Sequence, residues 1–68
     1  MARVEFIVHS ADLERILNTL RPSTFGEAEI SLVTGVPTSR SVVFTTNDPT
    51  TLKALAAHNF GLVGYEVQ

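Results

Sequence analysis

Few residues here suit acid–base, metal or nucleophilic chemistry: two histidines, seven carboxylates and a scatter of hydroxyls, in a 68-residue chain without cysteine. His9 and His58 stand far apart, with no third ligand at metal-binding spacing, and so read as surface residues. Ser10, Ser31, Ser39 and Ser41 fall in no nucleophile motif such as G-x-S-x-G, and thiol chemistry is absent. No catalytic set, metal or cofactor is expected, and the chain reads as non-enzymatic.

Three polar stretches remain. In T-G-V-P-T-S-R-S, Gly35, Thr38, Ser39 and Arg40 combine a flexible backbone, hydroxyls and a guanidinium, a set able to hold an anion, although it matches no phosphate-binding loop of the Walker type. In H-S-A-D-L, Ser10, Ala11 and Asp12 sit at a helix start whose free amides suit a carboxylate ligand, unless Ser10 and Asp12 cap those amides themselves. The third, V-F-T-T-N-D-P-T-T-L-K-A-L-A-A-H, has the grammar of a strand handing over to a helix: Asp48 as N-cap, Pro49 in the first turn, then Leu52, Leu55, Ala56 and Asn59 on one face. Capping accounts for its polar residues.

The elements that position these stretches follow from periodicity. Val4, Phe6 and Val8 alternate against Arg3, Glu5, Ile7 and His9, which predicts a first strand. Ser10 is the expected N-cap of a helix carrying Leu13, Ile16, Leu17 and Leu20 at i, i+3, i+4 and i+7, ended by Arg21 before Pro22. After a turn R-P-S-T-F-G, Ala28, Ile30 and Leu32 alternate in a second strand. A mobile loop through Gly35 and Pro37 then leads to a third strand, S-V-V-F-T-T. Gly61 closes the second helix, and L-V-G-Y-E-V begins a last strand running to Gln68, with Val63, Tyr65 and Val67 on one face.

The order strand, helix, strand, strand, helix, strand predicts a single α+β domain over residues 1–68. With right-handed crossovers it becomes the ferredoxin-like βαββαβ arrangement, a four-stranded antiparallel sheet with two helices on one face. An acylphosphatase-like activity on that scaffold would require an arginine after the first strand, which V-H-S-A-D-L lacks. RNA binding would require aromatics on the uncovered sheet face, whereas Phe6 and Phe44 fall on the covered one. A formal charge of −2 also disfavours nucleic acid. The N-terminal M-A-R-V-E-F-I-V-H-S is neither signal peptide nor membrane span, so no membrane partner and a cytoplasmic location are expected, and Met1 reads as the start of a complete small protein.

A domain this short hides only about 60% of its unfolded surface, and it has no disulfide or metal to assist, so association is a strong expectation. Ile7, Val33, Val43 and Leu62 are the apolar residues expected on the uncovered face, among Glu5, His9, Ser31, Ser41, Thr45 and Glu66. They, or the second strand's edge, are the expected interface of a homo-oligomer; alternatively a foreign protein, with this chain as a small inhibitor or accessory subunit, uses the open face or that edge.

The second half, V-V-F-T-T-N-D-P-T-T-L-K-A-L-A-A-H-N-F-G-L-V-G-Y-E-V, resembles the closing half of ACT domains through Asp48, Pro49, Gly64, Tyr65 and Val67. L-V-T-G before the third strand is similar to the related RAM modules. The resemblance covers residues 28–68 and implies a small regulatory module that assembles through its sheet and binds an effector such as an amino acid. In ACT domains the effector lies against the loop after the first strand, often Asp-x-Pro-Gly; here Ser10, Ala11 and Asp12 hold that place, without the proline and glycine.

Overall fold

The structure, a computed structural model, describes residues 1–67. The chain runs β1 (Ala2–His9), a 3-10 turn (Ser10–Asp12), α1 (Leu13–Thr19), α2 (Pro22–Phe25), β2 (Ala28–Val33), β3 (Val36–Thr46), α3 (Pro49–Phe60) and β4 (Tyr65–Val67). Gln68, expected to end the last strand, lies outside the described residues. The strands form one antiparallel sheet in the order β2-β3-β1-β4, giving the α+β architecture that the element order predicts.

The alternation in β1 sends Val4, Phe6 and Val8 into the core, where they meet Val42 and Phe44 of the neighbouring β3. Ile16 and Leu20 of the first helical segment and Leu52 and Ala56 of α3 join the same cluster, so α1 and α3 cover one face of the sheet and leave the other bare. Leu13, Leu17 and Leu55 pack around its margin. At the centre, the Phe6 and Phe44 rings stand edge to face, with centroids 6.1 Å apart and planes at 83°.

The crossover between β1 and β2 departs from expectation. Ser10 does not cap a helix: β1 continues through His9, whose Nδ1 accepts the Ala11 amide at 3.2 Å and starts the 3-10 turn. α1 begins only at Leu13. The segment read as a plain turn contains α2, because Pro22 stands at its first position and forces Arg21 into an extended conformation. α2 delivers Phe25 into the core, a burial that no periodicity announced.

The expected mobile loop is likewise absent. β2 and β3 are joined by a turn at Thr34 and Gly35, and β3 starts at Val36, so Thr38, Ser39 and Arg40 belong to a strand. The pairing shifts register between Leu32 and Val33, which absorbs the extra residues on the β3 side.

α3 forms as its sequence dictates. Asp48 Oδ1 accepts the Thr51 amide at 3.2 Å, Pro49 follows, and Gly61 ends the helix in the left-handed conformation. Thr51, through its side chain foremost and then its amide, holds the Asp48 carboxyl below its ordinary value of 3.8. A carboxyl depressed in the folded state adds stability that is complete above the unfolded value and is lost as pH falls through the folded one. Asp48→Ala is therefore expected to lower the melting temperature at neutral pH. The gap from wild type should close below pH 3.8, as urea titrations across that range will read. A gap independent of pH would place the effect elsewhere than in the charged cap.

After Gly61 the chain does not enter the sheet directly. Gly64 lies so close to the core that a Cβ there would stand 2.7 Å from the Phe6 ring and 2.9 Å from Val4. Strand pairing begins only at Tyr65, where Tyr65 opposes Glu5 and Val67 opposes Arg3. This reverses two sequence expectations. Leu62 packs against the core rather than on the bare face, and Glu66, opposite Val4, turns to the helix side and pairs with Lys53 at 3.4 Å.

Candidate functional site

The bare face of the sheet is built from alternate residues of all the strands. Directly paired residues of an antiparallel sheet share a face. The register therefore sets Glu29, Val43, Glu5 and Tyr65 in one row across the strands, Thr45, Arg3 and Val67 in the next, and Ser31, Ser41 and Ile7 on the other side. Ile7 is diagonal to Val43, and Tyr65 faces Glu5 from the neighbouring strand. The outcome is an apolar group of Ile7, Val43, Tyr65 and Val67 set around one carboxylate. Ile7 is 47% and Tyr65 60% exposed, while Val43 and Val67 are half-buried by their neighbours.

Glu5 is held in place. The Ser41 hydroxyl donates to Glu5 Oε2 at 2.6 Å, and Ser41 is itself buried, so the bond ties β3 to β1 across the bare face. Such a short charge-assisted bond fixes the carboxylate on the sheet and lets the aliphatic and aromatic groups form its rim.

Of the expected interface residues, the structure brings Ile7 and Val43 together. Val33 sits at the hairpin end of β2 beyond the register shift, opposite Val36 and away from them, and Leu62 belongs to the core. Tyr65 and Val67 take the places assigned to those two. Their membership was hidden because β4 is too short for alternation to fix its facing without its partner strand.

The loop candidates fare differently. Ser10, Ala11 and Asp12 form the 3-10 turn; the Ala11 amide is taken by His9, and Asp12 pairs with Arg15 at 3.2 Å. In the proposed anion set, Gly35 remains in a turn, but Arg40 bonds its own backbone, donating to the Pro37 carbonyl at 2.8 Å and the Ser39 carbonyl at 2.9 Å. Thr38, Ser39 and Arg40 therefore present a strand rather than an anion cradle.

Two concavities border this face where Thr45, Arg3 and Val67 end it. One, of about 270 Å³, is lined by Met1, by Pro22 to Gly26 and by Thr45, Thr46, Asn47 and Asp48. Its polar groups serve the fold: Thr46 Oγ1 accepts the Asp48 amide at 3.0 Å, and Asp48 caps α3. The other, about 340 Å³, lies between Met1, Ala2, Arg3, Glu66 and Val67. Among the described residues no buried side-chain polar atom lacks a hydrogen-bond partner, no group of three His, Asp or Glu residues is placed to hold a metal ion, and no helix is long and apolar enough to cross a membrane. Compared with known protein families, curated proteins and solved structures, the chain matches none.

Proposed function

We propose that this chain is a non-catalytic module with the ferredoxin-like fold that associates with copies of itself through its sheet. The strand order β2-β3-β1-β4 supports the fold assignment, since it interleaves two split β-α-β units. The observation that carries the functional reading is the apolar group of Ile7, Val43, Tyr65 and Val67 on a face that no helix covers. A sheet that small gains most from covering such a group, because the core of a domain this size is only marginally sufficient by itself. The polar groups between them are tied to each other, as Glu5 is to Ser41, and not arranged toward a reacting centre.

An amino-acid effector at Ser10, Ala11 and Asp12, as the ACT resemblance implies, has weaker support. The amide that a ligand carboxylate would use is already bonded to His9.

Sedimentation velocity from low to high micromolar concentration tests it. Wild type is expected to show a concentration-dependent oligomer, and Ile7→Thr, which keeps a β-branched side chain and removes apolar area, should weaken association about tenfold. A chain that sediments as monomer throughout that range would remove the proposal.

A further inference from the structure

β2 is the longer of the two described sheet edges, and Glu29 is its one charged residue; the register shift at Leu32 and Val33 is confined to its hairpin end. Ala28–Val33 contains no proline and no lysine, and no helix shields its outer rim: Ile30 is 45% and Leu32 73% exposed. Among the described residues the opposite edge, β4, spans only Tyr65–Val67.

The direction of the edge groups follows from one bond. The Thr45 amide donates to the Glu27 carbonyl at 2.9 Å. Antiparallel pairing alternates, so Glu27, Glu29 and Ser31 turn their backbone groups toward β3, while Ala28, Ile30 and Leu32 turn theirs outward. The same three residues carry their side chains on the helix side, since Ala28 opposes Phe44 and Ile30 opposes Val42.

We propose that β2 pairs with β2 of a second copy, antiparallel and centred on Ile30, so that the two sheets become one continuous sheet. This rests on the self-association proposed above and adds to the bare-face contact a second one, along the edge of the same sheet. In that register Ile30 faces its own counterpart, and Ala28 faces the copy's Leu32 on either side. Every outward amide and carbonyl then meets a partner, and a small side chain stands opposite a large one across the axis. On the bare face, Glu29 comes opposite the copy's Ser31, a carboxylate against a hydroxyl, the combination this sheet already uses at 2.6 Å between Glu5 and Ser41.

Neighbouring registers are worse. Centring on Glu29 sets the two Glu29 carboxylates directly opposite each other, and centring on Ser31 carries Ala28 past the strand to the turn at Thr34. The strand is self-complementary in one register.

The test combines sedimentation with amide hydrogen exchange on the full chain. Because Ile30 lies on the two-fold axis, Ile30→Lys puts two lysines face to face, and dissociation should become easier by on the order of a hundredfold. Far-UV circular dichroism should stay that of wild type, as Ile30 is partly exposed. Mixing Ile30→Lys with Ile30→Glu should restore the dimer as a mixed pair. In wild type, the Ala28, Ile30 and Leu32 amides should exchange more slowly as concentration rises.

An oligomer that survives Ile30→Lys with those amides exchanging freely would overturn the edge pairing and leave self-association through another surface standing. A chain that remains monomeric would overturn both. Edge amides protected only by an added alternating peptide would assign the edge to a foreign strand and overturn the pairing of copies.

Discussion

Phe6→Ala is expected to lose about 3–5 kcal/mol of folding stability, enough to leave much of the protein unfolded at room temperature. Phe6 is fully buried on the central strand β1, and its ring meets Phe44 edge to face at a centroid separation of 6.1 Å. Removing it takes away the burial of the ring, the aromatic contact and the wall against which Val4 and Gly64 lie. A 68-residue domain has roughly 3–10 kcal/mol in total, so one side chain here rivals the whole. Urea unfolding followed by circular dichroism will read the shift. A change below about 1 kcal/mol would show that this aromatic pair does not anchor the core. Because association would stabilise the folded state, the comparison belongs at matched low protein concentration.

Gly26→Ala is expected to destabilise by about 3 kcal/mol or more, although it adds one methyl group at a half-buried position. Gly26 ends α2 with φ 112° and ψ −175°, a region that side chains rarely enter. The added Cβ would also drive into the Thr45 carbonyl oxygen, a backbone atom that cannot turn aside. Relief requires β2 to peel from β3, beginning at the bond from the Thr45 amide to the Glu27 carbonyl. Amide exchange should therefore show Thr45 losing protection ahead of the β1 strand. Uniform loss along both strands, or a stability within a few tenths of a kcal/mol of wild type, would contradict this account.

These two positions show what was legible beforehand. Phe6 could be assigned to the core from the alternation Val4, Phe6, Val8, since a strand with one covered face has no other use for it. The stripe of Leu13, Ile16, Leu17 and Leu20 and the Asp48, Pro49 and Gly61 punctuation of α3 were equally readable. Each signal lies within a few residues of the feature it specifies. Gly26 stood in a segment that read as an ordinary turn, because nothing local reveals that β3 passes against it. Phe25 went unrecognised for the same reason.

The candidate site was legible only in part. Ile7 and Val43 could be placed on the bare face because β1 and β3 are long enough for alternation to fix their facing. Tyr65 and Val67 could not be, nor Leu62 and Glu66 excluded. Gly64 brings the chain against Phe6 and Val4, and only after that contact does β4 take up its register with β1. His9 capping the turn in place of Ser10 is a similar outcome, set by how far β1 pairs with β3 before the chain turns.

The sequence by itself determined the existence and order of the four strands and the two longer helices and which face of β1, β3, α1 and α3 is apolar, because periodicity and capping act over a single turn or strand. Only the tertiary structure decided the facing of β4, the second short helix and the point at which β3 begins. Those depend on which distant backbone a residue meets and on how far two helices reach across four strands, and no local pattern carries that information.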